Sequence, residues 1–170
     1  KFISIGRFSP EKGHKRLLDA FEQYWKDHPD TWLIIIGGVG NLYDETLAHA
    51  RTLCASDHII LIRAVTNPMP ILKRCDLFLL SSYYEGQGIV LMEAATLDIP
   101  VMACDVSGCH SFLKEYGGLL LEDSEAGLLH GMQLFAEGKV LPLHIDAECI
   151  NRTSAAQVES LIAGDISSKN

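Results

Sequence analysis

The sequence lacks the local motifs that commonly bind a metal ion. Its five cysteines form no C-x-x-C pair, and its seven histidines form no H-x-x-x-H or similar pair. Zinc sites of the usual spacings are therefore not predicted, and an odd cysteine count does not suggest a disulfide framework. We expect reduced thiols and no bound metal.

Long apolar runs and basic surfaces are missing as well. No run reaches the length of about 20 residues that a membrane-spanning helix needs, and no signal peptide is visible, so we expect no integral membrane segment. A formal net charge of −8 without a basic stripe argues against nucleic acid as a partner. A few local cations are still enough to hold an anionic small molecule.

The length and composition indicate one compact domain. The chain has 170 residues, of which 48% are hydrophobic and 21% charged, which is typical of a globular protein. It begins with lysine rather than methionine and enters a strand-like segment at once. We therefore expect the chain to be a piece of a longer protein.

Short apolar runs alternate with longer amphipathic segments. Near-continuous hydrophobicity over four to six residues is typical of strands that are buried on both faces of a parallel sheet. Such runs occupy residues 2–5, 32–36, 58–62, 76–80, 100–103 and 118–121. Between the first two, apolar side chains from Leu17 to Trp25 recur at helical spacing. Further helices are predicted at 42–55, 69–74, 88–97, 125–137 and 147–163.

This alternation predicts an α/β fold: a doubly wound, Rossmann-like parallel sheet of about six strands. The domain is expected to span residues 1–163, with trailing carboxyl-terminal helices, and residues 164–170 are expected to form a flexible tail. Ligands of such sheets bind beyond the carboxyl ends of the strands. That rule selects the loops at 6–13, 37–41, 63–67 and 81–89.

Two cations follow the first strand. Gly6 closes the strand, and Arg7 and Lys12 lie on the loop that leads into the first long helix. Cations beside a helix amino terminus form a site for a diphosphate, although solvated loop charges are an equally open interpretation. The segment GGVGN (37–41) lacks the third glycine of a dinucleotide fingerprint, and we interpret it as a tight turn with close backbone approach.

The segment EGQGIV (85–90) combines an acid with two glycines. Gly86 and Gly88 allow the backbone to approach a ligand closely before a helix that is predicted to begin near Gly88 or Ile89. The amides of Gly88, Ile89 and Val90 are then first-turn donors suited to an anion. Glu85 precedes them in the loop and is expected to be free to bind a neutral polyol.

Glu93 lies about a turn into the same predicted helix. Its carboxylate is placed to accept hydrogen bonds from a second hydroxylated group. The alternative is that Glu85 is a helix amino-terminal acid and Glu93 an exposed helix glutamate, both without a ligand.

Three segments together resemble a known family. GRFSPEKG, EGQGIVLMEAATLDIPV and CDVSG, in this order and spacing, are similar to the carboxyl-terminal, donor-binding domain of retaining GT-B glycosyltransferases. The E-x7-E pattern of Glu85 and Glu93 resembles the GT4 group, also called glycosyltransferase group 1. The resemblance runs over residues 1–163.

The resemblance implies a two-domain enzyme, of which this chain is one half. The amino-terminal acceptor domain would lie outside the chain, and the isolated chain would transfer nothing. The donor would be a nucleotide-diphosphate sugar such as a UDP- or GDP-sugar, and the acceptor a carbohydrate or a lipid-linked sugar. The implied enzyme is a retaining, metal-independent hexosyltransferase without a cofactor, cytoplasmic or peripheral at the membrane.

The resemblance also implies roles for single residues. The positions of Arg7 and Lys12 hold the donor diphosphate and stabilise its departure. That of Glu85 faces the transferred sugar, that of Glu93 binds the ribose, and the stretch around Val65 meets the base through backbone atoms. The remaining donor contacts are implied at Gly6, Gly86, Gln87, Gly88, Ile89 and Val90.

Several positions depart from the family pattern. Gln87 stands where an aromatic residue is common, and Ala64 where glycine is usual. Asp98 replaces a glycine after the helix, and aspartate tolerates the left-handed conformation that a helix end needs. The segment SGCHS (107–111), interpreted as a loop, carries Ser111 where an acid often lies.

Two other classes stay open. One is a catalytically inactive module that binds a nucleotide sugar or a polysaccharide, which the altered 107–111 segment favours. The other is an unrelated Rossmann-like domain, such as half of a dehydrogenase or a response-regulator-like protein. GGVGNLYDE offers no clear acid for a dinucleotide ribose after the second strand.

Overall fold

A six-stranded parallel sheet forms the centre of the molecule. The computed structural model describes residues 1–38, 40–86, 88–143 and 145. The strand order is β3-β2-β1-β4-β5-β6, and each neighbouring pair is parallel. The strands are Phe2–Ile5 (β1), Leu33–Ile36 (β2), Ile59–Ile62 (β3), Leu77–Leu80 (β4), Val101–Cys104 (β5) and Leu119–Leu121 (β6). The predicted α/β class and doubly wound sheet are confirmed.

Helices cover both faces of this sheet. They are His14–Trp25 (α1), Tyr43–Ala50 (α2), Met69–Leu72 (α3), Ile89–Ala95 (α4), Ser107–Tyr116 (α5) and Glu125–Ala136 (α6). Helices α1, α2 and α6 pack on one face of the sheet, whereas α3, α4 and α5 pack on the other. Every residue of β2, β4 and β5 is buried, because these strands are covered from both sides. Because both faces are covered, the sequences of these strands are unbroken apolar runs.

The prediction of a loop at 107–111 was wrong. These residues begin helix α5, whose buried residues Gly108, Cys109, Phe112 and Leu113 recur at helical spacing. The serine and glycine at its start resemble turn residues, but the apolar face packs into the core between α4 and the sheet and determines the helix.

The second predicted helix is also shorter than expected. It ends at Ala50 rather than near residue 55. The Glu22 carboxylate of α1 accepts hydrogen bonds from the amides of Cys54 and Ala55, at 3.2 and 2.9 Å, which satisfies these amides outside a helix. The predicted helix at 147–163 and the tail at 164–170 lie outside the described residues, so the domain boundary at 163 remains a prediction.

Two backbone expectations are confirmed. Asp98 follows α4 with a φ of 56°, the left-handed conformation expected there. In the GGVGN turn, a Cβ on Gly40 would lie 2.3 Å from the carbonyl oxygen of Phe8. The turn after β2 thus presses directly on the loop after β1, and only glycine fits.

The close approach at Gly40 predicts a position-specific loss of stability. We expect Gly40→Ala to lower the free energy of unfolding by about 1–3 kcal/mol, because the backbone of Phe8 has to move. Gly38→Ala is the matched control in the same turn, since its nearest neighbour would be the Arg7 Cγ at 3.9 Å, an ordinary contact. Urea unfolding of both variants checks this, and equal stabilities would contradict the close approach.

Candidate functional site

The candidate site lies where the connections of the sheet diverge. Strands β1 and β4 are neighbours, yet α1 leaves β1 toward one face and α4 leaves β4 toward the other. Loops that diverge in this way leave a crevice at the carboxyl ends of the two strands, which is the usual ligand position in doubly wound sheets. The β1–α1 loop and the β4–α4 loop, two of the four predicted ligand loops, meet here.

Lys12 reaches across this crevice to Glu85. The Lys12 Nζ lies 2.5 Å from Oε1 of Glu85, and the Ser82 hydroxyl donates to the same oxygen at 2.7 Å. The side chains of Lys12 and Glu85 are only 15% and 12% exposed. The expectation that Glu85 is free in its loop was therefore wrong. The physical reason is that a largely buried carboxylate requires a cation or hydrogen-bond donors nearby.

A glycine makes the reach of Lys12 possible. A Cβ on Gly6 would lie 3.2 Å from Cδ of Lys12, so the aliphatic part of the lysine runs directly over the end of β1. Lys12 itself ends a 3₁₀ helix at Pro10–Lys12, and Gly13 follows with a φ of 61° before α1 begins.

Arg7 lies on the outer side of the same loop. Its guanidinium contacts Glu11 Oε1 at 3.1 Å, and its side chain is 67% exposed. Solvent screens such a pair, so it contributes little stability. The structure thus brings Lys12 and Glu85 together, whereas Arg7 pairs with Glu11 beside them.

Hydrogen bonds to backbone carbonyls hold the two loops together. The Tyr83 amide donates to the Glu11 carbonyl at 2.8 Å, and the Ser81 hydroxyl donates to the Lys12 carbonyl at 2.9 Å. A Cβ on Gly13 would lie 2.2 Å from the Ser81 carbonyl oxygen. Glycine is therefore required at residue 13 by both its φ and its surroundings.

Arg16 is a site residue that the sequence reasoning missed. Its Nε and one Nη donate to the carbonyls of Ser81 and Ser82, each at 2.8 Å, and its other Nη lies 2.7 Å from the Asp123 carboxylate. Its Cζ stands 3.8 Å from the ring centre of Tyr83. The guanidinium is thus fully engaged under the β4–α4 loop.

A sequence signal for Arg16 existed. Arg16, Ala20 and Tyr24 recur at four-residue spacing, on the buried side of α1. A charged residue on an apolar stripe indicates a buried polar partner, because an unpaired buried charge is strongly unfavourable. The partner could not be named from sequence, since Ser81 and Ser82 are 65 and 66 residues away.

The glycines after Glu85 contact the start of α5. Gly88, with a φ of 60°, is the amino-terminal cap of α4, as predicted, and the helix begins at Ile89. The Gly108 amide donates to the Glu85 carbonyl at 3.2 Å, and a Cβ on Gly108 would lie 2.7 Å from the Gly86 carbonyl oxygen. The 107–111 segment therefore supports the loop that carries Glu85.

The other predicted residues lie along the same rim of the sheet. Glu93 is half-buried on α4, and its carbonyl accepts from the Thr96 hydroxyl at 2.8 Å. Ile89 is 54% exposed. Val65, in the loop after β3, and Val90, in the first turn of α4, pack against the same core cluster. Gln87 lies outside the described residues.

His14 is hydrogen-bonded to the backbone of the β1–α1 loop. Its Nε2 lies 3.1 Å from the carbonyl oxygens of both Gly6 and Arg7, so the neutral ring donates there. Burial lowers the pKa of His14 from its usual 6.5, because a charged imidazolium would be desolvated.

A groove of about 500 Å³ between α1 and α2, lined by His14, Glu45 and Tyr83, runs beside the loop. It does not contain Lys12 or Glu85.

The described residues contain neither a metal-binding cluster nor a membrane-spanning helix. Within the described ranges, no group of three or more His, Cys, Asp or Glu side chains is arranged to hold a metal ion. Among the helices so described, none is long and apolar enough to cross a membrane.

The chain matches the family model of the glycosyl transferases group 1 over residues 1–139. It belongs to this family, and its fold is that of the carboxyl-terminal domain of GT-B glycosyltransferases. This membership excludes the dehydrogenase and response-regulator alternatives.

Individual proteins agree with this assignment. A transferase of Campylobacter jejuni, N-acetylgalactosamine-N,N'-diacetylbacillosaminyl-diphospho-undecaprenol 4-alpha-N-acetylgalactosaminyltransferase, is 30% identical over 81% of this chain and 38% of its own length. The uncharacterized glycosyltransferase MJ1059 of Methanocaldococcus jannaschii is 32% identical over 61% of this chain and 25% of its own. The chain thus spans well under half the length of either relative.

A solved structure shows the same fold. The crystal structure of TarM superposes with a TM-score of 0.72 and 25% identity, over 81% of this chain and 28% of that protein. A glycosyltransferase from Rickettsia africae superposes with a TM-score of 0.72 at 17% identity, over 80% of this chain and 37% of that protein.

The buried, neutral His14 predicts a loss of stability in acid. An unfolded chain takes up a proton near pH 6.5, whereas the folded chain does so only at lower pH, so stability falls as the pH drops below about 6.5. We expect wild type to lose up to about 1 kcal/mol more than His14→Gln between pH 7.5 and 5.5. Urea unfolding at both pH values measures the difference. A variant that loses as much as wild type would contradict this role.

Proposed function

We propose that this chain is the donor-binding half of a retaining glycosyltransferase that uses a nucleotide-diphosphate sugar, such as a UDP- or GDP-sugar. One observation carries the proposal. In a chain of the group 1 family, Lys12 and Glu85 meet at the switch point of the sheet, with Arg7 exposed beside them.

Local cations have to attract the diphosphate, because the chain as a whole carries a net charge of −8. Arg7 is accessible at the rim of the crevice. Lys12 would exchange the Glu85 carboxylate for a phosphate oxygen, so its buried charge keeps an anionic partner throughout. Glu85 would remain held by the Ser82 hydroxyl and would then face the transferred sugar.

The rest of the donor would extend along the rim of the sheet. Gly6, Gly86 and Gly88 would allow the backbone to approach the phosphates, and the amides of Gly88, Ile89 and Val90 would donate to them. Gln87 is proposed as a further donor contact. Glu93, on the half-buried side of α4, would accept hydrogen bonds from the ribose. The backbone around Val65 would contact the base.

In the proposed reaction, the bond between the anomeric carbon and the diphosphate oxygen breaks, and the acceptor oxygen bonds to the same carbon with retained configuration. The acceptor proton leaves with the departing diphosphate or to solvent. Because the nucleoside diphosphate is already a good leaving group, the protein contributes positioning and charge stabilisation. Arg7 and Lys12 would supply this stabilisation in a metal-independent, hexosyl-transferring reaction that needs no cofactor.

The acceptor is proposed to bind to the part of the enzyme that this chain does not include. The Campylobacter relative and an Escherichia coli galactosyltransferase are both named for sugar acceptors on diphospho-undecaprenol. A carbohydrate or lipid-linked acceptor, met at the cytoplasmic side of a membrane by a peripheral enzyme, follows from that likeness.

The proposal predicts that Arg7 and Lys12 carry the affinity for the diphosphate. Arg7→Ala combined with Lys12→Gln is expected to cost roughly 2–4 kcal/mol of nucleotide binding, the contribution of two charge-assisted contacts. Isothermal calorimetry of the chain with UDP, GDP and their sugars measures this.

Lys15→Ala is the matched control for the pair. Lys15 is the neighbouring cation on α1, and it pairs with Asp19 on an exposed surface, 2.7 Å away. Affinity in this variant should stay at the wild-type value. Unchanged binding by a folded Arg7 and Lys12 double variant would overturn the diphosphate assignment.

The two glutamates are expected to give different phenotypes. Glu93→Gln should weaken the binding of the nucleoside diphosphate about tenfold, because a charge-assisted bond to the ribose becomes a neutral one. Glu85→Gln should leave that binding intact and lower turnover of the whole enzyme by about 10²–10³, because the transferred sugar loses its charged neighbour. The two phenotypes in reverse would show that the roles are exchanged.

The same assays decide on the alternative of a catalytically inactive binding module. Such a module would bind the nucleotide sugar, whereas the whole protein would release no nucleoside diphosphate in the presence of acceptors.

A further inference from the structure

The Arg16 guanidinium binds two backbone carbonyls and one carboxylate. Its side chain is only 8% exposed, and all three nitrogens have partners. Replacing a buried ion pair with apolar residues is often neutral or stabilising. Stability alone therefore does not explain an arginine on the apolar side of α1.

The two carbonyls lie beyond the ladder of β4. The last paired residue of that strand is Leu80, opposite Ala103, so the carbonyls of Ser81 and Ser82 extend past the end of the strand. Buried carbonyls need donors, and the planar fork of arginine supplies two in fixed directions. The direction in which the chain leaves β4 is thus determined by Arg16.

Ser82 connects this backbone to Glu85. Its carbonyl is held by Arg16, and its hydroxyl donates to Glu85 Oε1 at 2.7 Å. The Tyr83 ring lies over the guanidinium. The ring therefore covers, from the solvent side, the clamp that Arg16 forms with the carbonyls of Ser81 and Ser82. Arg16 therefore acts on Glu85 through one intervening residue and does not touch it.

Asp123 fixes the other side of the guanidinium. It lies in the loop between β6 and α6 and is 43% exposed. Helix α6 packs on α1, the helix that carries Arg16. The ion pair at 2.7 Å thus holds the arginine from the loop between β6 and α6.

We propose that Arg16, oriented by Asp123, is a positioning residue that holds Ser82 and thereby aims Glu85 at the transferred sugar. The inference rests on the proposed function of Glu85. If Arg16 has this role, it contributes to the affinity for the sugar part of the donor and not to the affinity for the nucleotide part.

The test compares Arg16→Lys and Asp123→Asn with Lys15→Ala, which removes the adjacent exposed cation. Arg16→Lys keeps the charge but loses the two-carbonyl fork, and Asp123→Asn leaves the fork intact and weakens its anchor. Calorimetry with UDP and UDP-glucose, and with GDP and GDP-mannose, gives the ratio of sugar-bearing to sugar-free affinity. Hydrogen exchange of residues 82–86 and 33–36 reports on the loop and on β2.

We expect Arg16→Lys to lower the sugar-to-nucleotide affinity ratio about tenfold, the change associated with one charge-assisted contact. Exchange should accelerate in residues 82–86 and not in 33–36. Asp123→Asn should show the same pattern more weakly, and Lys15→Ala should match wild type in both readouts.

Three results would overturn the inference. Exchange that rises equally in 82–86 and 33–36 would indicate a general loss of stability. Faster exchange of the loop with an unchanged affinity ratio would mean that Arg16 holds the backbone but does not aim Glu85. A wild-type chain that binds none of the four nucleotides would overturn the proposed function, and with it the role of Glu85. Hydrogen exchange of residues 82–86 would in that case still show whether Arg16 holds the backbone of the loop.

Discussion

The ion pair between Lys12 and Glu85 joins two loops that are 73 residues apart in sequence and adjacent in space. It exists because β1 and β4 are neighbours whose helices leave toward opposite faces. Neither charge is well solvated, so each depends on the other, and the surrounding glycines and serines are arranged for their contact. Gly6 lets the lysine cross the strand end, and Ser82 holds the carboxylate from the other side.

In the proposed function, this arrangement lets an acidic chain keep a cation ready for an anion. A buried lysine without a partner would be unfavourable in the empty protein. Glu85 supplies that partner, and in the proposed function a phosphate oxygen would replace it. In the proposed exchange the carboxylate would lose Lys12 but keep the Ser82 hydroxyl, whose backbone is held by Arg16. We thus propose that binding and positioning are served by different residues of one polar cluster.

The strands and the loops of the site were predictable from the sequence for a physical reason. A strand such as β4 is covered on both faces and needs apolar residues throughout, so its end is visible where Ser81 and Ser82 begin. What followed each strand was then a candidate for the ligand edge. The two glycines after Glu85 indicated that α4 begins near Gly88 or Ile89. The left-handed Asp98 was expected because the family pattern has glycine at that position.

Long-range pairing was not predictable in this way. The choice of Glu85 as the partner of Lys12, and of Ser81, Ser82 and Asp123 as partners of Arg16, follows from the strand order, which the sequence pattern does not specify. Helix α5 was missed because its first residues, Ser107 and Gly108, are typical of turns. Gly108 is in fact required there, since its Cβ would meet the backbone of residues 85 and 86.

A crystal structure of the chain with a bound nucleoside diphosphate tests the central claim most directly. The account predicts the β-phosphate between the β1–α1 and β4–α4 loops, with the Lys12 Nζ on a phosphate oxygen and Glu85 still bonded to Ser82. A nucleotide bound in the groove between α1 and α2, with the Lys12–Glu85 pair intact, would contradict it.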